Sequence, residues 1–270
     1  MKKVAIVCGG RSSEHEISCI SASGIISAID RSKYQPTLIG ITKEGKWVSL
    51  PADTKFAIKE GQLPEVPENA PAISIDEIDA DVIFPILHGP YGEDGTAQGL
   101  FEMLDIPYVG SGVLASAVAM DKDFAKQIMK EANVPTAQSL TCTTKDEIET
   151  ALDTFGAPYV VKHDGLAAGK GVVVTNDRSE ALAHALLSVR VVIEEYLDGP
   201  QISTEAILLP TTASCPGFVD RNYEMLEHTK PYIIENGGTQ PSTLPYPDQK
   251  TIKNITILAG RALGVISGTV

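Results

Sequence analysis

Two loops, each following a short apolar run, most constrain what this chain can fold into. The first run covers residues 4–8 and leads into Gly9-Gly10-Arg11. The second covers residues 81–87 and leads into segment 88–99, whose first eight residues hold three glycines and one proline. Short apolar runs that alternate with helical patterns predict a parallel sheet with helices on its faces. In such a sheet both loops lie at the carboxyl edge of the strands, where ligands bind.

The first loop is expected to begin a helix and to carry polar side chains. Apolar residues at helical spacing predict this helix over about residues 13–29. Ser13 and Glu16 have the spacing of a capping box, and Glu14 and His15 are expected to project into a cleft. Two glycines are not the full dinucleotide-binding fingerprint, so the alternative is that these polar residues only cap the helix.

The second loop concentrates His88 with acidic and amide side chains in one irregular segment. Glu93, Asp94 and Gln98 lie in the same stretch. Glycine and proline impose an irregular backbone here, and polar groups at this density are costly in a plain connector. The pattern favours a functional site over a simple turn.

The rest of the chain indicates two further regions. A helix is expected over residues 116–133, and strands and helices then alternate in a compact α+β unit. A strand over 205–209, a polar stretch over 211–248 and a helix over about 248–263 follow. The expected domains are an N-terminal parallel α/β substrate-binding domain over residues 1–112, a central lobe over 113–200 and a partial C-terminal lobe over 201–270.

The net charge of −13 decides how any phosphate must be bound. Such an acidic chain repels nucleic acid and anionic lipid, so neither is expected as a partner and phosphate needs local cationic groups. Lys162 follows an apolar run, and a loop rich in glycine and alanine leads from it to Gly169-Lys170-Gly171. Small residues expose backbone N–H groups that cradle phosphate oxygens, and the lysines add positive charge. The spacing is not that of a P-loop, and a flexible hairpin turn is the alternative.

Two acids end an apolar strand expected over residues 191–196. Glu194 and Glu195 are followed by Tyr196 and Leu197. A strand-edge backbone with a carboxylate matches the N–H and O–H donors of adenine and ribose. Acids at strand ends are usually solvated, so this motif alone does not decide between a nucleotide site and a solvated edge.

Hydropathy and cysteine usage indicate a cytoplasmic protein. No stretch approaches the roughly 20 apolar residues of a membrane span. The four cysteines form no C-x-x-C pair and no regular framework, which is typical of reduced thiols.

Together these motifs resemble the ATP-grasp superfamily, and the N-terminal part is similar to the D-alanine–D-alanine ligase family. The similarity covers about residues 1–138 and rests on residues 9–18, 88–99 and 107–112, the last followed by Met120-Asp121-Lys122. The resemblance implies catalytic roles for Glu14, which would hold the amino group of the first D-alanine, and for His88, which would line that subsite.

The resemblance also implies a set of nucleotide-binding residues. Lys122 and Lys162 would contact ATP phosphates, and Lys170 would add positive charge and share in catalysis. Glu194 would accept a hydrogen bond from the adenine amino group, with Glu195 nearby. The full implied ATP-binding set is Lys122, Lys162, Gly169, Lys170, Gly171, Glu194, Glu195, Tyr196 and Leu197.

The second half departs from the ligase family. Its loop 163–171 is similar to that of glycinamide ribonucleotide synthetase, and residues 211–247 resemble a third variety of ATP-grasp ligase. The implied fold is α/β, an ATP-grasp mosaic in which an N-terminal parallel-sheet (pre-ATP-grasp) domain precedes α+β nucleotide-binding lobes. The strands that carry magnesium ligands in the superfamily would follow the last helix. The third lobe is therefore expected to be truncated, and no metal ligand is assigned.

The activity implied by the resemblance is that of an ATP-dependent carboxylate–amine ligase, which forms an amide through an acyl phosphate with ATP and Mg²⁺ as cofactors. D-alanine is the implied substrate, peptidoglycan precursor synthesis the implied role and a homodimer the implied assembly. The alternatives are an ATP-grasp ligase for another acid and amine, and a nucleotide-binding fragment that lacks the metal-ligand strands.

Overall fold

The computed structural model of the protein describes residues 1–164, 171–223 and 235–270. Two compact units make up the chain, Met1–Ala117 and Val118–Val270. The division into domains 1–112, 113–200 and 201–270 stays a prediction. No helix in the described ranges is long and apolar enough to cross a membrane.

A four-stranded sheet lies at the centre of the first unit. Its strands are β1 Lys2–Gly9, β2 Tyr34–Ile41, β3 Trp47–Leu50 and β4 Val82–Pro85. They run in the order β3-β2-β1-β4, with β1 parallel to both β2 and β4 and with β3 antiparallel at one edge. The expected parallel sheet is confirmed, with one antiparallel edge strand in addition.

The helices of the first unit pack on both faces of this sheet. They are α1 His15–Ala28, a short 3-10 helix Ile75–Glu77, α2 Thr96–Met103 and α3 Val113–Met120, the last of which crosses into the second unit. Successive side chains of β1 point to opposite faces. Ile6 packs in one core cluster with Cys19 of α1, and Val7 packs in another with Phe101 of α2. Burial on both faces explains why β1 is a continuous apolar run.

The start of α1 differs from the expectation. The helix begins at His15 with Glu14 as its N-cap residue, and no side chain caps it. The Glu16 carboxylate pairs with the ammonium group of Lys43. The capping box expected between Ser13 and Glu16 is therefore wrong, because a partner far along the chain takes the Glu16 side chain.

The single helix expected over residues 116–133 is also wrong. Two helices occupy this stretch, α3 and α4 Lys122–Glu131. Asp121 separates them in an extended conformation, and its carboxylate accepts a hydrogen bond from the backbone N–H of Phe124. An aspartate that can cap a helix in this way competes with helix continuation.

An antiparallel sheet forms the core of the second unit. Its elements are β5 Ser139–Cys142, α5 Lys145–Phe155, β6 Tyr159–His163, β7 Val172–Thr175, α6 Arg178–Ala185 and β8 Val191–Glu194. The strand order is β5-β8-β6-β7, and α5 and α6 pack on the sheet. Leu152, Val161 and Ile193 are fully buried in this core. The expected α+β unit is confirmed.

The remaining described residues form two small sheets and a long helix. The elements are β9 Ile202–Thr204, β10 Ile207–Leu208, β11 Ala213–Ser214, β12 Phe218–Tyr223, β13 Glu235–Thr239, α7 Tyr246–Ala262 and β14 Gly268–Thr269. The sheets have the orders β11-β10-β14 and β13-β12-β9. The strand expected over 205–209 is shorter than predicted, and the polar stretch 211–248 contains β11, β12 and β13.

Candidate active-site clusters

A turn of two glycines carries the chain from β1 towards α1. Gly9 and Gly10 have φ values of 86° and 103°, which favour glycine. A Cβ atom on Gly9 would clash with the carbonyl oxygen of Ile41, so the close approach itself requires glycine. The backbone N–H of Gly9 donates to Ser18 Oγ at 2.8 Å, and that of Gly10 donates to Ile41 O at 2.8 Å. The loop therefore leaves the sheet in a fixed direction.

His15 is a structural residue of this turn. The side chain is fully buried, its Nδ1 lies 2.7 Å from Gly10 O, and its Nε2 accepts the N–H of Val66 at 3.0 Å. With Nδ1 donating and Nε2 accepting, the ring is the neutral tautomer. The expectation that His15 projects into a cleft is wrong, because both of its nitrogens satisfy backbone groups.

Glu14 lies against the second loop. A Cβ atom on Gly89 would lie 3.0 Å from Glu14 Oε2 and 2.9 Å from Ser12 Oγ. The Ser12 hydroxyl also accepts the backbone N–H of Glu14 at 2.9 Å. His88 precedes Gly89, and its Nε2 lies 3.2 Å from the hydroxyl oxygen of Ser21 on α1. The fold thus brings the predicted residues Glu14 and His88 onto two loops that touch.

The acidic and amide side chains of the second loop hold its backbone. Gly89 N–H donates to Glu93 Oε2 at 2.7 Å, and Gln98 Nε2 donates to Gly92 O at 2.9 Å. Burial alone would raise the pKa of Asp94, but hydrogen bonds from Tyr91 and from Thr96 outweigh it and lower that pKa. The polar density noted in the sequence serves to fix the segment that carries His88.

In the second unit, Lys162 and Glu194 form a buried ion pair. Lys162 on β6 and Glu194 on β8 are 2.6 Å apart between Nζ and Oε1, and the Glu194 side chain is 4% exposed. Lys126 approaches the other oxygen, Oε2, at 2.9 Å. Two ammonium groups thus compensate one buried carboxylate. Sequence reasoning missed Lys126, although it lies one helical turn after Lys122 on α4.

Lys122 begins α4 within a group of charged residues. Its backbone N–H donates to Asp164 Oδ1 at 3.0 Å. Burial lowers the pKa of the Lys122 ammonium, the charge of Lys162 lowers it further, and the carboxylates of Asp164 and Glu194 oppose the shift. Arg190 pairs with Asp164 at 2.6 Å between Nη1 and Oδ2. Sequence reasoning included Asp164 in the loop motif without a role and passed over Arg190, because their contacts join residues far apart in the chain.

Of the other residues implied to bind the nucleotide, four are described by the structure and two are not. Glu195 exchanges hydrogen bonds with Gln138, as its N–H donates to Gln138 O at 3.0 Å and its Oε1 accepts the Gln138 N–H at 2.8 Å. Tyr196 and Leu197 are exposed. Gly171 O accepts the backbone N–H of His163 at 2.7 Å. Gly169 and Lys170 lie outside the described residues.

No metal-ligand cluster is found in the ranges 1–164, 171–223 and 235–270, where no three His, Cys, Asp or Glu side chains are placed to hold an ion. The carboxylates of Asp121, Asp123 and Asp164 converge on the guanidinium of Arg190. The Mg²⁺ implied by the resemblance therefore stays a prediction, with no ligand set assigned to it. All four cysteines are free thiols.

Comparison with known proteins decides the family. The family model described as D-ala D-ala ligase N-terminus matches residues 3–111. The D-alanine–D-alanine ligase of Acetivibrio thermocellus is 34% identical over a gapped alignment of 308 positions, which covers 97% of this chain and 80% of the relative. The D-alanine–D-alanine ligase of Corynebacterium aurimucosum is 36% identical, and the alignment covers 97% of this chain and 82% of the relative. The chain belongs to the D-alanine–D-alanine ligase family.

Solved structures of this family share the fold. The D-alanine–D-alanine ligase of Coxiella burnetii is similar with a TM-score of 0.76 at 27% identity, covering 100% of this chain and 80% of that one. The D-alanine–D-alanine ligase of Bacillus anthracis complexed with ATP is similar with a TM-score of 0.70 at 25% identity. The similarity covers 100% of this chain and 80% of that one. The ATP-grasp fold expected from the sequence is confirmed.

A second family model matches the other half of this family member. The model described as phosphoribosylglycinamide synthetase, ATP-grasp (A) domain, covers residues 120–224. The similarity to glycinamide ribonucleotide synthetase expected for loop 163–171 is confirmed at the level of this domain. The same residues also lie within the alignment to the D-alanine–D-alanine ligase relatives, which covers 97% of this chain.

Proposed function

We propose that this chain is an ATP-dependent carboxylate–amine ligase that joins two molecules of D-alanine for peptidoglycan precursors. The observation that carries the proposal is the meeting of two loops, where the Glu14 carboxylate lies against Gly89, the residue that follows His88. Membership of the D-alanine–D-alanine ligase family supports this substrate, because the relatives are named for it.

In this proposal the first unit binds the first D-alanine. The half-buried carboxylate of Glu14 accepts charge-assisted hydrogen bonds from the substrate ammonium group. His88, oriented by Ser21, lines the same subsite. The contact with Ser21 fixes the His88 ring, which reduces the freedom that must be lost to reach a reactive geometry.

The second unit is proposed to bind ATP, the nucleotide with which the Bacillus anthracis relative was solved. Lys122 and Lys162 supply positive charge to the phosphates in a chain whose net charge is −13. The backbone and side chains of residues 194–197 face the adenine and ribose. Glu194 keeps lone pairs for the adenine amino group beside its two lysine contacts, because a carboxylate accepts about four hydrogen bonds. Gly169, Lys170 and Gly171 complete the proposed phosphate contacts.

The reaction has two proposed steps. A carboxylate oxygen of the first D-alanine attacks the γ-phosphorus of ATP, ADP leaves, and an acyl phosphate forms. The deprotonated amine of the second D-alanine attacks the acyl carbon, and phosphate leaves with the former carboxylate oxygen and takes up the proton that the nitrogen loses. Lys122 and Lys162 stabilise the charge on the transferring phosphoryl oxygens. No step is assigned to Mg²⁺, because the described residues hold no ligand set for it.

Coupled measurement of ADP release tests this function. We expect ADP release from ATP to depend on D-alanine and to yield equal amounts of D-alanyl-D-alanine. L-alanine serves as the matched control, because it differs from D-alanine only in its configuration at Cα. It should give no dipeptide. ATP binding without D-alanine-dependent release would contradict the assignment.

A second candidate is a ligase for another acid and amine. The match of residues 120–224 to the phosphoribosylglycinamide synthetase ATP-grasp domain favours it. A panel of amino acids and amines in the same ADP-release assay separates the two candidates. Turnover with another pair and none with D-alanine would support this one, whereas ATP binding without any turnover would support a nucleotide-binding fragment.

We also infer a homodimer and a cytoplasmic location from the family resemblance and the free thiols. Sedimentation velocity of the purified chain tests the first of these. A species of twice the mass of one chain is expected, and a monomer at all concentrations would contradict it. Fractionation of the source cells tests the second.

A further inference from the structure

A second contact joins the two loops that carry Glu14 and His88. The guanidinium of Arg11, in the first loop, lies over the ring of Tyr91, in the second, with 5.5 Å between its central carbon and the ring centroid. Arg11 precedes Glu14 by three residues, and Tyr91 follows Gly89 by two. A guanidinium at this distance is attracted by the negative face of an aromatic ring. The contact therefore ties the two loops close to the residues proposed to bind D-alanine.

The turn between β2 and β3 supports the Arg11 side chain. Gly45 in this turn has a φ of 89°, and its N–H donates to Thr42 O at 2.9 Å. A Cβ atom on Gly45 would lie 2.7 Å from Arg11 Cδ, so the aliphatic stem of Arg11 lies directly against the glycine backbone. The stem is thus held by the turn while the guanidinium reaches Tyr91.

Tyr91 has a backbone conformation that a bulky residue rarely adopts. Its φ is 68°, in the left-handed region. Its N–H donates to Asp94 Oδ2 at 2.9 Å, and its carbonyl oxygen accepts the N–H of Ala97 at 3.0 Å, so the backbone is fixed on both sides. The side chain is 48% exposed, so core packing does not explain a tyrosine where glycine would be unstrained. Strain of this kind clusters at ligand clamps and other functional segments.

We propose that Arg11 and Tyr91 are positioning residues that clamp the two loops together and so hold the subsite of the first D-alanine in shape. The proposal rests on the proposed function, which places D-alanine at Glu14 and His88. Neither Arg11 nor Tyr91 touches the substrate in this scheme. Each acts through the backbone of its own loop.

Two variants break the contact from opposite sides. Arg11→Gln removes the cation, and Tyr91→Leu removes the ring without a change of charge. If the contact is the function, both have the same effect and the double variant is no worse than either single one. An effect of Arg11→Gln alone would mean that the guanidinium acts on the substrate directly, and it would overturn the clamp. Tyr91→Phe is the conservative variant, because it keeps the ring face.

The first experiment measures ADP release by the full chain at saturating ATP and varied D-alanine. We expect Arg11→Gln, Tyr91→Leu and the double variant each to raise KM for D-alanine by about fourfold, with kcat within about twofold. Tyr91→Phe should keep KM within about twofold of the unchanged chain. Arg31→Gln is the matched control, because Arg31 is an exposed arginine of the same unit whose Nη2 donates to Ala52 O at 3.4 Å. An unchanged KM in either single variant, or losses that multiply in the double variant, would overturn the proposal.

Tyr91→Gly separates positioning from support of the fold. Glycine adopts a φ of 68° without strain, so the urea midpoint of unfolding should not fall, whereas KM for D-alanine should rise as in Tyr91→Leu. A lower midpoint or an unchanged KM in Tyr91→Gly would overturn the positioning role.

Hydrogen exchange tests the clamp without any substrate. The backbone N–H groups of Gly89 and Tyr91 donate to carboxylates within segment 88–99, and we expect peptides from this segment to exchange about fourfold faster in Arg11→Gln. Unchanged exchange would overturn the clamp. An unchanged chain without D-alanine-dependent ADP release refutes the proposed substrate, while exchange in the variants still decides the clamp. Should circular dichroism show that Arg11→Gln is unfolded, Arg11→Lys replaces it, with a smaller increase in KM and in exchange expected and no increase overturning the proposal.

Discussion

Glu14 and His15 are neighbours in one turn, yet their environments differ. Glu14 is half-buried against Gly89 at the meeting of two loops, whereas His15 is buried between Gly10 and Val66. Hydrogen bonds to backbone groups occupy both nitrogens of the histidine, and no such bond to the carboxylate oxygens of Glu14 is seen in the described part of the chain. Glu14, which is proposed to bind the substrate, is thus the residue of this turn whose carboxylate faces the second loop.

Replacement of Glu14 tests its role in D-alanine binding. Glu14→Gln keeps the shape but removes the charge that pairs with the substrate ammonium, so kcat/KM for D-alanine should fall by about 100-fold while the Kd for ATP is unchanged. Initial rates of ADP release at varied D-alanine measure the effect. Glu16→Gln is the control, because Glu16 lies in the first turn of α1 close to Glu14 but pairs with Lys43, so its substitution should be tolerated. Equal losses in both variants would contradict the assignment.

Tyr108 gives a prediction about pH at the same scale. Its hydroxyl donates to Glu102 Oε1 at 2.9 Å, and burial, together with this carboxylate, raises the pKa of Tyr108 to about 12. The unfolded chain should release this proton near pH 10. The folded protein keeps it longer, so the contribution of Tyr108 to stability is full below pH 10 and is lost as the pH rises towards 12.

Ultraviolet titration of phenolate formation, with urea unfolding at several pH values, measures both effects of Tyr108. Tyr108→Phe should remove one late transition and flatten the fall in stability between pH 10 and 12. Glu102→Gln should move that transition to lower pH, because the neighbouring negative charge is gone. A late transition that survives in Tyr108→Phe would show that another group is responsible.

At the scale of elements, Lys126 links helix α4 to the antiparallel sheet of the second unit. Its ammonium approaches Glu194 Oε2 at 2.9 Å on β8 and donates to Ala137 O at 2.9 Å in the segment before β5. Together with Lys162 it compensates a carboxylate that is almost fully buried. Removing one partner of such a group leaves a buried charge partly uncompensated.

Substitution of Lys126 should therefore destabilise the second unit. Lys126→Met keeps most of the side-chain volume but is expected to lower the free energy of unfolding by about 3 kcal/mol, as measured by urea denaturation. Lys130→Met, one turn later on the same helix and exposed, should change it by less than about 0.5 kcal/mol. Similar values for the two variants would mean that the Glu194 pair contributes little.

The elements also show what the sequence can and cannot predict. The capping box of Thr144 and Glu147 forms at the start of α5, where both groups belong to one turn. The same spacing at Ser13 and Glu16 fails, because Lys43 takes the Glu16 carboxylate. Local signals predict the helices and strands well, but they do not reveal partners that only the fold brings close.

The residues of the candidate site also divide into those that local patterns predict and those that only the fold brings together. Apolar runs with polar loops after them pointed to Glu14, His88, Lys162 and Glu194, because strand ends are identifiable from local pattern. Lys126 and Arg190 lie on a helix and in a turn where a single lysine or arginine is unremarkable. Their contacts with Glu194 and Asp164 span tens of residues, and no periodicity marks such pairs.

At the scale of the whole molecule, two family models match successive parts of the chain. Residues 3–111 match the D-alanine–D-alanine ligase N-terminus, and residues 120–224 match the phosphoribosylglycinamide synthetase ATP-grasp domain. The first part includes the loops proposed to bind D-alanine, and the second includes the lysines proposed to bind ATP. The overall charge of −13 makes these local cations essential to any phosphate chemistry.

Transfer of an oxygen isotope tests the central claim most directly. D-alanine labelled with ¹⁸O in its carboxylate is incubated with ATP and the chain, and the released phosphate is examined by mass spectrometry. The acyl-phosphate route predicts one labelled oxygen in phosphate for every D-alanyl-D-alanine formed, because the carboxylate oxygen that attacks phosphorus leaves with it. Unlabelled phosphate, or phosphate release without dipeptide, would contradict the assignment of this chain as a carboxylate–amine ligase for D-alanine.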